Sequence, residues 1–408
     1  MRKRSNPLIF ILIFSFIVGS CDIINTGDTP PTPVELNYKA AEIIEADQQF
    51  AFELFGEVCS LSTEENIMIS PLSVSYALGM TYNGAEGTTR DAFENVLHFE
   101  ELTRQEVNES YKDLMGQLVT LDDQVEFTIA NSIWYRLGAN VLDSFITTNQ
   151  DYFDAAVEEL DFSDPASVDV INDWIAEQTN DKIKDMLDQI PGNAYMYLVN
   201  AIYFNAEWKY SFDKNDTFTG NFNLAGGGTE SVDYMQIEEP FGYTRQEDYA
   251  AVELPYGDSA FSMVAILPSA DIPIDTFIAF YGQEEWSKLA AISSPQEVKV
   301  VLPKFKYGFK SLLNDPLSEL GLGVAFSDAA DFSSITREVA LYISRVIHQT
   351  FIDVNEEGTE AAAATIVEMR ETSIGNYMQF DRPFLYIIKE NSTGAILFMG
   401  KVGRPVYE

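Results

Sequence analysis

The 408-residue chain has only two histidines, His98 and His348, and two cysteines, Cys21 and Cys59, as candidates for imidazole or thiol chemistry. No residue at metal-ligand spacing accompanies either histidine. The metalloprotease, EF-hand, phosphate-loop and nucleophile-elbow patterns are absent, and the stretch Gly321–Gly323 lacks the third glycine of a dinucleotide loop. The sequence therefore predicts a protein with no enzymatic activity and with no bound metal or cofactor.

His348 lies within the strand-like run Leu341–Val354, on the same parity as Thr350 and Ile352. Alternate residues of a strand face opposite sides of the sheet, so this parity predicts that His348 points into the core. A lone inward histidine is typical of a hydrogen-bonded core residue, and less typical of a general base.

The segment Glu356–Ser373 has two conflicting structural preferences. Four consecutive alanines, Ala361–Ala364, favour a helix. The charged residues nevertheless fall on one parity, as in a strand with one charged face: Glu360, Glu368 and Arg370. The other parity is uncharged until Glu371 and carries Thr359, Ala361, Ala363, Thr365, Val367 and Met369. Such a conflict is expected where a chain changes state, although an alanine-rich surface helix is the simpler alternative.

The first twenty residues read as an export signal, with a basic start and an apolar run, Leu8–Val18, that is too short to span a bilayer. Val18–Cys21 resembles a bacterial lipoprotein box, which predicts lipidation of Cys21; ordinary secretory cleavage near Ser20 is the alternative. Residues 21–40 would form a tether, rich in Thr, Pro and Asp, and residues 41–408 the folded domain. We expect an exported protein that is lipid-anchored to a bacterial membrane, at the cell surface or in the periplasm.

The net charge of the chain limits which partners it is expected to bind. The formal net charge is −39, and it becomes −42 once the three basic residues of the signal are removed. Such a charge repels nucleic acid, anionic lipid and heparin-like polyanions. With Cys21 lipidated, Cys59 has no disulfide partner and is expected to be a small buried hydrophobe.

Helix and strand signals alternate irregularly along the chain. Ser70 and Pro71 form a good helix start, Asn83-Gly84 a good stop, and the helix between them is apolar on several faces and should be buried. A stripe of apolar residues predicts a second helix over about Ala166–Leu187. Six runs predict strands: Tyr197–Asn205, Ala260–Leu267, Val298–Leu302, Leu341–Val354, Phe384–Ile388 and Ala395–Met399. This order favours one large α+β domain.

Four separate motifs give the chain a family resemblance from about Ala46 to Arg404. They are Asn66–Ser73, Val199–Trp208, Glu356–Ala364 and Phe380–Phe384 with the LYII that follows it. Together, in this order, they resemble the serpins. The resemblance implies a single α+β domain with three β-sheets, about nine helices and an exposed reactive-centre loop.

The resemblance also implies a function, because inhibitory serpins expose this loop as bait. A protease cleaves it, an acyl-enzyme forms, and the cut loop inserts into the main sheet and carries the protease with it. Because the inner parity of the loop is small and uncharged, we expect a suicide-substrate inhibitor, with a non-inhibitory binding or carrier protein as the alternative. By the same resemblance, the hinge of the loop would comprise Glu356, Gly358, Thr359, Glu360, Ala361, Ala362, Ala363 and Ala364. Gly358 would supply backbone freedom where the loop leaves its strand.

The family's spacing places the cleaved bond. Counting forward from Glu356 and backward from Phe380 leads to Thr372-Ser373, and Arg370 is the second choice. Thr372 suits elastase-like or subtilisin-like serine proteases first; trypsin-like proteases, through Arg370, and cysteine proteases follow. The protein is expected to act as a monomer.

Other roles follow from the resemblance alone. The shutter, beneath the main sheet, would comprise Ser70, Ser73, Asn200 and His348. The breach, at the top of that sheet, would contain Trp208 and Lys304, and Glu356 would pair with Lys304. As a surface ion pair, that contact would contribute less than about 1 kcal/mol.

Overall fold

The computed structural model describes residues 33–34, 38–289, 295–359 and 375–407. Residues 1–32, which include the predicted signal and Cys21, and residues 360–374, which include most of the predicted reactive loop, lie outside the described residues. Over the described ranges, no helix is both long and apolar enough to cross a membrane. The first helix begins at Tyr38, slightly before the boundary at residue 41.

The described residues contain nine α-helices and fifteen strands. The helices are α1 Tyr38–Leu61, α2 Pro71–Tyr82, α3 Gly87–Val96, α4 Arg104–Leu118, α5 Asp143–Phe153, α6 Ser167–Gln178, α7 Ile274–Phe280, α8 Gln283–Leu289 and α9 Asn314–Glu319. The strands are β1 Asn66–Ile69, β2 Val125–Arg136, β3 Ala156–Leu160, β4 Met196–Glu207, β5 Phe218–Asn223, β6 Thr229–Arg245, β7 Tyr249–Pro255, β8 Phe261–Pro268, β9 Pro295–Pro303, β10 Phe305–Leu312, β11 Ile347–Val354, β12 Gly358–Thr359, β13 Asn376–Gln379, β14 Phe384–Glu390 and β15 Ile396–Val402.

The strands form two hydrogen-bonded networks. One is a six-stranded sheet in the order β10-β11-β12-β4-β2-β3. The other has nine strands and consists of two groups joined through the long strand β6, which pairs with β5 and β9 along most of its length and with β7 only over Gly242–Arg245. The two groups and the six-stranded sheet correspond to the three sheets expected from the sequence. The apolar core includes the strands β8, β14 and β15, whose residues are all buried.

Helix α2 lies beneath the six-stranded sheet and forms as its sequence predicts. The Ser70 side chain caps it by accepting a hydrogen bond from the Ser73 backbone N–H, Pro71 occupies the first turn, and Asn83 follows the last turn. Every residue of the helix except Ala77 is buried. Its rigid start therefore fixes the position of the Ser70 and Ser73 hydroxyls under the sheet.

Two predicted elements are shorter than expected. Helix α6 ends at Gln178 rather than near Leu187, because Asn180 and Asp181 adopt left-handed backbone angles (φ 47° and 63°). Strand β11 begins at Ile347 rather than Leu341, because its partner β10 ends at Leu312, directly opposite Ile347. The other five predicted strands are confirmed, with ends that differ by a few residues.

Candidate functional site

Among the described residues, the six-stranded sheet has an opening in its middle, between β4 and β11. The two-residue strand β12 lies between β11 and β4, with Thr359 opposite both Val354 and Ala206. Within the described part of the chain, β4 and β11 are joined only through β12 and do not pair with each other. Below β12, the facing edges of these two long strands are therefore not paired with one another.

Gly358 is required by the close approach of β4. A Cβ atom at this position would overlap the carbonyl oxygen of Ala206 and would lie 2.7 Å from the Cα of Glu207. Gly358 does not adopt a positive φ. The sequence interpretation assigned this glycine to backbone freedom, whereas the structure gives a steric reason: a side chain would push β12 away from β4.

Thr359 is buried against Tyr256 at the top of the opening. It is 3% exposed, and its hydroxyl lies 2.7 Å from the hydroxyl of Tyr256. The Tyr256 ring stacks on Trp208, with centroids 4.5 Å apart, and the indole N–H of Trp208 donates to the Asn355 carbonyl at 2.9 Å. Trp208 therefore supports both Thr359 and the turn that precedes it.

Glu356 holds the same turn from the other side. Its carboxylate lies 3.0 Å from the Lys304 ammonium and accepts a hydrogen bond from the Thr217 hydroxyl at 2.7 Å. The backbone N–H of Phe212 donates to the Glu356 carbonyl, and that of Trp208 to the Glu357 carbonyl. Four contacts thus fix the chain where it leaves β11.

The Glu356–Lys304 pair expected from the sequence is present, but it is not a surface pair. The two side chains are only 5% and 17% exposed. Burial alone raises the pKa of the Glu356 carboxyl, but the Thr217 hydroxyl, the backbone N–H of Glu356 and the Lys304 ammonium outweigh it and hold that pKa below its ordinary value. Removing one partner would leave a charge in a mostly buried position, which costs more than breaking a surface pair.

The four predicted shutter residues are brought together beneath the opening. The backbone N–H of Ser70 donates to Nε2 of His348 at 2.9 Å, and the Ser70 hydroxyl donates to the Leu397 carbonyl at 2.7 Å. The Ser73 hydroxyl donates to Oδ1 of Asn200. Hydrogen bonds therefore link α2 to β4 on one side of the opening and to β11 on the other.

His348 is neutral in this network. It is 6% exposed, and burial lowers the pKa of its imidazole to about 4. Because Nε2 accepts a hydrogen bond, the ring proton is carried by Nδ1. The inward orientation predicted from its strand parity is confirmed, and its environment is that of a structural histidine.

A cavity of about 220 Å³ lies below β12. Its lining includes Ser73 of α2, Asn200 of β4 and His348 of β11, and the segment Ala340–Val346 forms another wall. Three of the four shutter residues, Ser73, Asn200 and His348, therefore face a space between the two strands that do not pair.

Comparison with known proteins gives the family. The family model described as Serpin (serine protease inhibitor) matches residues 45–405. The chain belongs to the serpin family. An uncharacterized serpin-like protein of Methanosarcina acetivorans is 37% identical over 380 residues, which cover 90% of this chain and 89% of that protein. Human Serpin I2 is 32% identical over 366 residues, covering 88% and 90% of the two chains.

Solved serpin structures share the fold. Tengpin, a thermophilic serpin in the native state, superimposes with a TM-score of 0.84 at 33% identity and covers 92% of this chain and 97% of its own. Human thyroxine-binding globulin, solved in complex with thyroxine, gives a TM-score of 0.83 at 26% identity, covering 90% of this chain and 100% of its own. The α+β serpin fold predicted from the sequence is thus confirmed.

Several contacts of this serpin site were missed at the sequence level. Nδ2 of Asn200 donates to Oδ1 of Asn131 at 2.6 Å, which extends the shutter into β2. Asn131 stands in an otherwise mostly apolar strand, and that exception is a usable signal. Tyr256 and Thr217 carry no comparable signal, because only the chain path brings them to the hinge.

The predicted residues of the distal loop lie outside the described residues. They are Glu360, Ala361, Ala362, Ala363, Ala364, Arg370, Thr372 and Ser373. Over the ranges that the structure covers, no cluster of three or more metal-ligating side chains is found. Cys59 is a buried free thiol, as expected.

Proposed function

We propose that this serpin inhibits proteases as a suicide substrate, by inserting its cleaved reactive loop between β4 and β11. The observation that carries this proposal is the position of Thr359. The first residue of the uncharged parity is already buried between the two strands, which are not paired with each other below it. Insertion would extend a strand that has already begun.

The register of β12 indicates which residues of β4 and β11 an extended strand would lie opposite. Pairing runs antiparallel on both sides, so each step along the loop moves the partner one residue back on β4 and on β11. Continued to Thr365, this register places that residue opposite both Asn200 and His348. A small hydroxyl would then arrive at the shutter, where polar partners are available.

The chemistry would belong to the protease. Its nucleophile would attack the carbonyl carbon of Thr372, and the amine of Ser373 would leave, which gives an ester or thioester to the enzyme. Insertion would then carry the acylated protease away from its attacking position before water completes hydrolysis. Elastase-like and subtilisin-like serine proteases are the first targets to test.

Fold alone does not separate an inhibitor from a carrier, since thyroxine-binding globulin has the same fold. Mixing the protein with elastase or subtilisin separates the two functions. An inhibitor gives a covalent complex that survives boiling in detergent, whereas a carrier is only cut. Mass spectrometry of the released fragment then identifies the cleaved bond. We expect cleavage between Thr372 and Ser373 or, as the second choice, after Arg370, and cleavage at any other bond contradicts the assignment.

A matched pair of variants tests insertion itself. Thr359→Arg places a long cation at a 3% exposed position beside Tyr256, so we expect the variant to be cleaved as a substrate without forming the complex. Glu360→Arg introduces the same side chain on the opposite parity and should still inhibit. Equal inhibition by the two variants would count against insertion in this register.

We also propose that Cys21 carries a lipid and that residues after it tether the domain to the membrane. The lipoprotein-box resemblance supports this proposal. Expression of Cys21→Ser beside the natural sequence tests it by metabolic labelling with a tagged fatty acid. Label that persists in Cys21→Ser would refute lipidation at this residue.

A further inference from the structure

The end of the chain returns to the hinge after leaving β15 at Val402. The backbone N–H of Lys306 donates to the Val406 carbonyl at 2.7 Å, which fixes the tail beside the start of β10. Tyr407 follows and is 39% exposed. No motif in the sequence singles out this residue, and nothing in the proposed inhibitory reaction yet uses it.

The Tyr407 ring covers the cation that holds the hinge. The Lys304 ammonium lies 4.3 Å from the ring centroid, and the same ammonium lies 3.0 Å from the Glu356 carboxylate. A cation at this distance over an aromatic face is attracted to the ring. Tyr407 therefore restricts Lys304 to the position from which it can pair with Glu356.

The Tyr407 hydroxyl reaches the other side of the hinge. It lies beside the Asp353 carboxylate, at the end of β11, and the Asn355 side chain, and both of these groups influence its pKa. Burial and then the Asp353 carboxylate raise the pKa of the Tyr407 phenol to about 12, so the hydroxyl keeps its proton at physiological pH. A protonated phenol can donate to Asp353 and accept from Asn355.

Asn355 is the residue that shapes the turn into β12. Its backbone N–H donates to the Gly358 carbonyl at 3.0 Å, and its Oδ1 accepts from the Glu357 N–H at 2.9 Å. Its own carbonyl accepts the Trp208 indole N–H. Tyr407 thus packs on Lys304 of the ion pair and lies beside Asn355 of the turn, so it adjoins two of the groups that hold the hinge.

We propose that Tyr407 is a positioning residue of the hinge, which holds the turn Asn355–Gly358 in place until the loop is cut. Its consequence for inhibition rests on the proposed function. We call the contacts of Tyr407 with the hinge the clamp. Without the clamp, the uncut protein should insert its loop faster than the wild type does, and it should lose inhibitory activity before it meets a protease. The hinge geometry itself can be tested whether or not the protein inhibits.

The test compares the wild type with Tyr407→Phe, which keeps the ring over Lys304, and Tyr407→Ala, which removes the ring and the hydroxyl. Phe280→Ala, at a similarly exposed aromatic of α7, is the control. Amide hydrogen exchange is followed for Trp208 and Phe212, whose N–H groups donate to the hinge carbonyls. We expect exchange to be roughly tenfold faster in Tyr407→Ala and intermediate in Tyr407→Phe, since each contact contributes about a two- to fivefold factor.

Exchange equal to that of the wild type in both Tyr407 variants would overturn the clamp. So would faster exchange across the whole molecule, since that indicates general destabilisation. If Tyr407→Ala does not fold, Tyr407→Phe alone decides, with about a threefold effect expected from the lost hydroxyl.

A second measurement separates this proposal from the proposed function. The uncut proteins are incubated at elevated temperature, and the fraction that still forms a detergent-stable complex is followed over time. Faster loss in Tyr407→Ala than in Phe280→Ala supports the clamp. If all variants form the complex and lose this ability at the same rate, the clamp is refuted and the inhibitory function is not. If the wild type never forms a complex, the inhibitory function is refuted, and the hydrogen-exchange measurement alone tests the clamp.

Discussion

Lowering the pH should weaken the shutter by protonating His348. Burial lowers the pKa of this imidazole from the ordinary 6.5 to about 4, and its Nε2 accepts the Ser70 N–H. A proton on Nε2 would face that N–H donor and abolish the bond. Because the unfolded chain binds this proton more readily, stability is full above pH 6.5 and is lost as the pH falls toward 4. This difference in pKa corresponds to a total loss of about 3 kcal/mol in the free energy of unfolding, which is complete below pH 4.

A second buried group acts in the opposite direction over nearly the same range. Burial raises the pKa of the Asp47 carboxyl, in α1, from 3.8 to about 7, although the nearby Ser75 side chain and the Tyr111 hydroxyl, which donates to Oδ1 of Asp47, oppose this rise. The folded state therefore binds this proton more readily, and Asp47 adds stability as the pH falls from 7 to 4. The pH profile of the wild type combines both groups, so only differences between variants isolate His348.

The assay is urea-induced unfolding at pH 7.5, 6.5, 5.5 and 4.5 for the wild type, His348→Gln and Asp47→Asn. Gln keeps an acceptor for the Ser70 N–H but cannot be protonated in this range. Between pH 6.5 and 4.5, the free energy of unfolding of the wild type should fall by about 2 kcal/mol relative to that of His348→Gln, or about 1 kcal/mol per pH unit. Relative to Asp47→Asn, it should gain stability over the same interval. A constant difference between the wild type and His348→Gln across the four pH values would refute the assignment of a neutral, buried His348.

Three further outcomes follow from the hinge. Lys304→Met should destabilise the uncut protein by up to about 3 kcal/mol in thermal melts, because the mostly buried Glu356 carboxylate loses its partner. Adding Glu356→Gln should restore part of that stability, and no restoration would contradict the pairing. Gly358→Ala should displace β12 from β4, with faster amide exchange at Trp208. Gly308→Ala, in β10, should have no such effect, because its Cβ would make only an ordinary contact of 3.6 Å with the Thr350 carbonyl oxygen; equal exchange in the two variants would contradict the steric role of Gly358. Loop-cut protein should melt well above uncut protein, because a new central strand pairs with β4 and β11; equal melting temperatures would argue against insertion.

Much of this serpin site was accessible from the sequence because local rules govern it. Ser70 and Pro71 start a helix wherever they stand before an apolar run, so the cap of α2 and the burial of that helix could be predicted. The parity of β11 gave the inward direction of His348 without knowledge of its partners. The strand was nevertheless predicted too long, since where a strand ends depends on where its neighbour ends, and β10 lies far away along the chain.

The environment of the hinge was predicted less well. The Glu356–Lys304 pair was expected as a surface contact, but the tertiary packing around it leaves the Glu356 side chain only 5% exposed. Gly358 was read as a flexible residue, and the approach of β4 gives it a steric role instead. In both cases the sequence identified the residue, but it did not identify the neighbouring residues that determine its burial and its steric freedom.

By itself, the sequence determined which residues could enter a sheet: the uncharged parity that begins at Thr359, because the alternation of side chains in a strand is a local property. It also determined the capped, buried helix beneath that sheet. Only the tertiary structure decided that β4 and β11 are held apart by β12, and that Tyr256, Thr217 and Tyr407 surround the hinge. These contacts join residues distant along the chain, and no local propensity specifies which distant side chains a fold brings together.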